Sequence, residues 1–170
     1  MDSQSLITDE ARAMIGAESD PVTGYPVTEH EIRRYANAVD DPNPLWTDAG
    51  YAGQTDHGGI IAPPLFYIIP FATDRPLSEL RADGLPKLDR RSSLGLVPPL
   101  RATRQMAGET EAEFFQPIRP GDVLTYQSRL ADIYERDGRS GRLAFIVLET
   151  TYTNQRGEVV VKEKFTLIQR

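Results

Sequence analysis

Cysteine is absent from this 170-residue chain, which excludes disulfides, a thiol nucleophile, Cys-ligated zinc and iron–sulfur centres. Histidine is nearly so: His30 and His57 are the only two, far apart in sequence, so a zinc site is not expected. No apolar run approaches the roughly 20 residues that a membrane span needs. The N-terminus carries acids early and shows no basic-then-apolar leader pattern. Positive charge is in deficit, with a net charge of −6, which argues against nucleic-acid binding. A local Lys/Arg cluster for an anionic ligand remains compatible with that balance. Neither GxGxxG nor GxxxxGK occurs, so dinucleotide and phosphate-loop sites are not expected. "GRSG" reads as a hairpin turn between strands and not as a nucleophile elbow. These absences together point to a cytoplasmic protein.

What is present is turn-rich. Thirteen prolines and thirteen glycines spread over the chain disfavour a helical bundle. The length suits a single domain able to bury its own core. Spacing of Leu6, Ile7, Ala11, Met14 and Ile15 predicts a helix over 3–17, with Gly16 as its stop. Val22 and Val27 fall in short extended pieces, and residues 1–24 read as an extension to a domain at 25–170. Thr28 and Glu31 have capping-box spacing, and Pro42 requires the helix they start to end near Asp40. A second helix is expected over 45–52, with Asn43 as its cap. The run "IIAPPLFYIIPFA" predicts a buried helix over 60–72. Residues 73–100 form a long excursion rich in Pro, Gly, Arg and Asp. The last seventy residues alternate apolar and polar side chains between turn signals, which predicts four antiparallel strands in a curled meander. Helices first and strands last make the class α+β.

The order of these pieces carries a resemblance. A helix leads into "DPNP", then come "GYA", a Gly-flanked apolar segment with "AP", "PIRPGD" and long strands. This resembles the MaoC-like hydratase/dehydratase family over about residues 25–170, and within it the N-terminal-type dehydratase domain. The resemblance implies a hot-dog fold, a bent antiparallel sheet wrapped around a long helix. It also implies a catalytic MaoC-type partner, fused or as a separate subunit. The family motif is similar to Gly-Asp-x-Asn-Pro-(aliphatic)-His. Asp41, Asn43, Pro44 and Leu45 match it; Asp40 stands at the Gly and Trp46 at the His. In the family, the Asp and His share a water that is added to, or removed from, an enoyl thioester. Imidazole titrates near working pH, whereas indole does not titrate there and only donates. Trp46 therefore cannot replace the His base.

The candidate catalytic residues are Asp41, Asn43 and His57. Asp41 equally suits a Pro-enforced turn, and capping is the favoured role for Asn43. His30 is expected on an exposed helix face. Gly58, Gly59 and Ile60 are candidates for a backbone-amide lining at the thioester. Arg101 and Arg104, with Arg90 and Arg91, are either a solvated face or a grip on the phosphates of coenzyme A or a carrier's pantetheine arm. No cofactor is implied beyond a substrate carried as a coenzyme A or acyl-carrier thioester. The expected partners are that acyl thioester and either further copies of this chain or a MaoC-type catalytic subunit. Three functions stay open: a subunit of an enoyl-thioester hydratase or 3-hydroxyacyl-thioester dehydratase, a self-sufficient homodimer using Asp41, or a non-catalytic thioester-binding module.

Overall fold

Alternation in the last third of the chain builds one antiparallel sheet, seen here in a computed structural model. The structure describes residues 5–71, 77–80, 82, 96–102, 104–139 and 141–170. Arg90 and Arg91, and most of the 73–100 excursion, lie outside them. In chain order the elements are α1 (Asp9–Ala13), β1 (Val22–Thr23), α2 (Glu29–Ala38), a 3₁₀ turn (Pro44–Trp46) and α3 (Ala49–Gly53). A 3₁₀ run (Pro64–Phe71) and a short 3₁₀ turn (Leu77–Glu79) follow, then β2 (Gln105–Phe114), β3 (Thr125–Gly138), β4 (Gly141–Thr153) and β5 (Val159–Gln169).

The strand order is β1-β3-β4-β5-β2. β3, β4 and β5 are the expected meander, but β2 is not its first strand: it lies at the far edge beside β5. The "RPGD" turn does not close a hairpin. Gly121 N–H donates to the Val27 carbonyl and Val27 N–H to the Asp122 carbonyl, both at 2.8 Å. Those bonds tie the connector to the segment before α2, and the chain crosses to the opposite edge.

Tyr126, Ser128 and Leu130 face inward, and after a bulge between Leu130 and Asp132 the parity flips so that Ile133 is buried. Two apolar clusters result. One joins Ile32, Ala36, Trp46, Phe66 and Tyr67 to Tyr126, Tyr152 and Val161. The other joins Ile7 and Ala11 to Leu130, Ile133, Ile146 and Leu167. Between them on the inner face runs a polar rung, Ser128–Thr150–Glu163, in register across β3, β4 and β5. Ser128 and Thr150 share a buried hydroxyl hydrogen bond of 2.8 Å.

Three expected helices are shorter or different. The first covers only Asp9–Ala13, capped by Thr8. Gly16 N–H then donates to Leu130 and Ser19 N–H to Ser128, so pairing with β3 takes backbone groups that a longer helix would use. The helix expected over 45–52 is split. Asn43 caps the 3₁₀ turn, accepting from Leu45 N–H, and Asp48 caps α3 by accepting from Gly50 and Tyr51 N–H. The run expected as a long helix over 60–72 is 3₁₀ from Pro64 to Phe71. Pro70 lies inside it and offers no N–H, so it could not join an α-helical ladder there. The capping box of α2 is complete in both directions.

Candidate functional site

Helix α2 ends in a way that aims the next residue. Asp40 N–H donates to the Asn37 carbonyl and Asp41 N–H to the Ala36 carbonyl, the paired bonds of a Schellman close. That close needs a left-handed residue, and Asp40 supplies it at φ 54°. This is the position of the family Gly. Aspartate tolerates the left-handed region better than most side chains, so the substitution keeps the geometry at some cost.

Asp41 is thereby turned back over its own loop. Its Oδ1 accepts from Asn43 N–H at 3.1 Å, and its Oδ2 accepts from the Trp46 indole Nε1–H at 2.8 Å. Trp46 is 8% exposed and sits in the first apolar cluster. The pair that would serve acid–base chemistry is thus a carboxylate facing a permanent donor. An indole can orient Asp41 but can take no proton from it or from a water.

The remaining candidates are not gathered around that carboxylate by any hydrogen bond or ion pair among the described residues. His57 is exposed, and its backbone N–H donates to the Thr55 hydroxyl at 3.3 Å. Gly58 is in the left-handed region at φ 66°, and its N–H closes a turn onto the Thr55 carbonyl. Gly59 and Ile60 follow; among the described residues their amides have no protein acceptor. The Ile60 side chain is buried in the first cluster. Arg101 holds the N-terminal segment: its Nη1 donates to the Ser5 carbonyl and its backbone N–H to the Leu6 carbonyl, each at 2.9 Å. Arg104 is exposed and pairs through its backbone with Arg170. His30 is exposed on α2.

Sequence reasoning assigned no chemistry to the sheet, yet the sheet holds a second polar group. Glu163 points inward between Val161 and Phe165, and Tyr152 Oη–H donates to its Oε2 at 3.0 Å. Tyr67, from the 3₁₀ run, lies within reach of the Glu163 charge. Burial, then the Glu163 charge, push the Tyr67 hydroxyl up to about 12. The same causes, burial first, raise Tyr152 further. The signal was available: a glutamate at an inward position of "VVVKEKF". A groove of about 600 Å³ lies over β2, β4 and β5, lined among others by Glu111, Glu113, Glu149, Lys162 and Lys164. Asp41 does not line it. Among the described residues no group of three or more acidic or imidazole side chains could hold a metal, and no helix is long and apolar enough to cross a membrane.

A family model described as "FAS1-like, dehydratase domain region" matches residues 13–163. The chain belongs to this family. As a FAS1-like dehydratase-region protein it is similar to a UPF0336 protein of Thermobifida fusca, 30% identical over 146 residues, covering 86% of this chain and 84% of that one. It is 29% identical over 150 residues to a probable enoyl-CoA hydratase alpha subunit of Thermomonospora curvata, covering 85% of this chain and 45% of that longer one. Among solved structures, the ChsH1-ChsH2 complex from Mycobacterium tuberculosis matches with a TM-score of 0.73 at 22% identity, over 94% of this chain and 89% of that one. At that identity the likeness shows the fold, which is a hot-dog. The MaoC-like resemblance read from the sequence stands, and the chain is a member of the hydratase/dehydratase hot-dog family.

Proposed function

We propose that this chain is the non-catalytic subunit of an enoyl-thioester hydratase or 3-hydroxyacyl-thioester dehydratase, working beside a MaoC-type chain that carries the intact Asp and His. The observation that carries the reading is the Trp46 Nε1–H on Asp41 Oδ2: the catalytic frame is kept, and a donor occupies the place of the base. The similarity to a hydratase alpha subunit, and to a structure solved as a two-protein complex, favours half of an enzyme over a whole one. In this reading the chain walls one side of the acyl pocket with its first apolar cluster. The amides of Gly59 and Ile60, which have no protein acceptor among the described residues, face the thioester carbonyl, and Arg104, an exposed arginine, meets the carrier phosphates.

The test is hydration of a crotonyl-type thioester by the purified chain alone and with a MaoC-type chain bearing the intact motif. The expected result is no turnover alone and turnover in the mixture that exceeds that of the catalytic chain by itself. Enzymatic turnover by this chain alone would overturn the proposal.

A further inference from the structure

Glu135 and Glu163 both stand at inward positions of the sheet, and their surroundings differ. Glu135 is saturated: it accepts from Ser5 Oγ–H and from the Leu6 and Ile7 N–H groups, and Arg142 lies 3.5 Å away. Glu163 is half-buried with far less around it. Tyr152 Oη–H donates to its Oε2 at 3.0 Å, and among the described residues no hydrogen bond or ion pair reaches its Oε1. Ser128 and Thr150, its neighbours in the rung, bond each other. Lys162 and Lys164, its neighbours in sequence, turn to the opposite face, where Lys164 reaches Glu111 at 3.9 Å and Lys162 lies over the Phe115 ring at 5.4 Å. Among the described residues no fully buried side-chain oxygen lacks a partner, so Oε1 is open to solvent.

A carboxylate on the core side of a sheet is costly unless donors meet it. Val161, Phe165 and Leu167 fill the other inward positions of β5 at no such cost. The half-met acceptor therefore points to a donor that arrives with a ligand, and its place suits the acyl chain. The apolar cluster that holds Trp46 and Ile60 also holds Tyr67 and Tyr152. Tyr152 bonds Glu163, and Tyr67 lies within reach of its charge. Towards β2 the approach is open: Ala112 stands opposite Glu163, small and half-buried, and Thr110 and Phe114 beside it on that face are exposed. A chain lying along the first cluster would meet apolar walls and then one carboxylate oxygen in need of a donor.

We infer that Glu163 is a specificity-determining residue of the acyl pocket, and that the substrate class is an acyl thioester whose chain carries a hydrogen-bond donor, a hydroxyl or an ammonium group, away from the thioester. Its Oε1 accepts from that donor while Tyr152 holds Oε2 in place. A plain alkyl chain would cover Oε1 and satisfy nothing, which leaves the carboxylate dry and unpaired. The inference rests on the thioester reading above and adds to it the kind of chain that is bound.

The probes are saturated acyl-pantetheine thioesters from butyryl to decanoyl, each in a plain, an omega-hydroxy and an omega-amino form. Calorimetry reads their binding to the full chain with a MaoC-type chain, so no turnover is needed. The expected result is that, at the best length, a donor-bearing chain binds at least about tenfold more tightly than the plain chain of equal length. The hydroxy and amino arms show which donor is favoured. Glu163→Leu combined with Tyr152→Phe removes both partners of the internal bond together, which spares the fold an orphaned hydroxyl. In that variant the plain chain should bind at least as well as the others, with circular dichroism confirming the fold. Where the double variant does not fold, Glu163→Gln keeps the shape and an acceptor for Tyr152, and it should cut the preference several-fold. Wild-type preference for plain chains at every length overturns the inference, as does a donor preference that a folded variant leaves unchanged; either result leaves the thioester function standing. Absence of binding by every thioester would overturn that function and this inference with it.

Discussion

Replacing Trp46 with Phe removes one donor and little else, so it measures what the indole does. The change deletes the 2.8 Å bond from Nε1–H to Asp41 Oδ2 and keeps an aromatic ring in the first cluster. A hydrogen bond to a charged acceptor contributes about 1.5–3 kcal/mol when the acceptor is left dry. Asp41 is half-exposed, and water can replace the lost donor, so the net value falls below that range, to about 1 kcal/mol. The smaller ring in a site only 8% exposed loses roughly another 1 kcal/mol of apolar burial. The total is about 2 kcal/mol, or a fall in Tm of about 4–8 °C for a chain of this size. Trp46 is the only tryptophan, so the variant has no indole fluorescence and the melt must be followed by far-ultraviolet circular dichroism. A double-mutant cycle with Asp41→Ala isolates the bond, with an expected coupling of about 1 kcal/mol. Coupling within about 0.3 kcal/mol of zero would show that the indole packs but does not hold the carboxylate, and the account of Trp46 as Asp41's partner would fail.

Three further outcomes follow from the same geometry. Asp41→Asn should cost about 1 kcal/mol of stability through the Trp46 bond yet leave turnover of the two-subunit complex unchanged; a loss of kcat with an unaltered Tm would instead make Asp41 the working base. Glu135 is raised by burial but lowered more by Ser5, by Ile7 and Leu6 N–H and by the Arg142 charge, so its carboxyl sits below the usual value of 4.5. A lowered carboxyl adds stability above about pH 4.5 that is lost as pH falls through its folded value, so the Tm gap between wild type and Glu135→Gln should close on acidification. A gap that widens as pH falls would refute the tie. At the alkaline end Tyr67, pushed from 10 to about 12, contributes stability that is complete below pH 10 and lost as pH rises towards 12; Tyr67→Phe should flatten that decline in a pH series of chemical melts.

How far the chain could be read depended on whether a signal was local. The capping box at Thr28 and Glu31 and the stop imposed by Pro42 are contacts within a few residues, and both were legible. So was the alternation that builds β3 to β5, because a two-residue period declares which face is buried. The place of β2 was not legible. A turn signal such as "RPGD" says that the chain bends, but which edge it reaches was set by distant backbone bonds to Val27. Helix length failed for a related reason: Gly16 and Ser19 amides go to β3, a competitor invisible from the local pattern. At the site, the missing base was visible in the letters, whereas the use of its replacement was not. Only the fold shows the indole nitrogen turned onto Asp41.

That contact also explains why the frame persists without the base. Asp41 closes an Asx-type bond to Asn43 N–H, Asn43 caps the next turn, and Trp46 ends that turn inside the core. Asp48 then starts α3. Each of these residues satisfies a backbone donor, or fills a volume, that the next one depends on. On the proposed reading, loss of a proton-transfer role at position 46 would free only that residue to change, while the cost of altering Asp41 or Asn43 would stay what it was. A chain relieved of catalysis by a partner would be expected to drift first at the position whose role was purely chemical, and Trp46 is that position. Such a drift would also favour a large apolar side chain with one N–H: it fills part of the cluster that holds Ile60 and Phe66 and gives the retained carboxylate a donor. A histidine restored there by Trp46→His would bring back a titrating group but leave a smaller side chain in the core. We expect it to lower Tm without creating turnover in the isolated chain, and hydration by that variant alone would mean that the rest of the catalytic site is intact here.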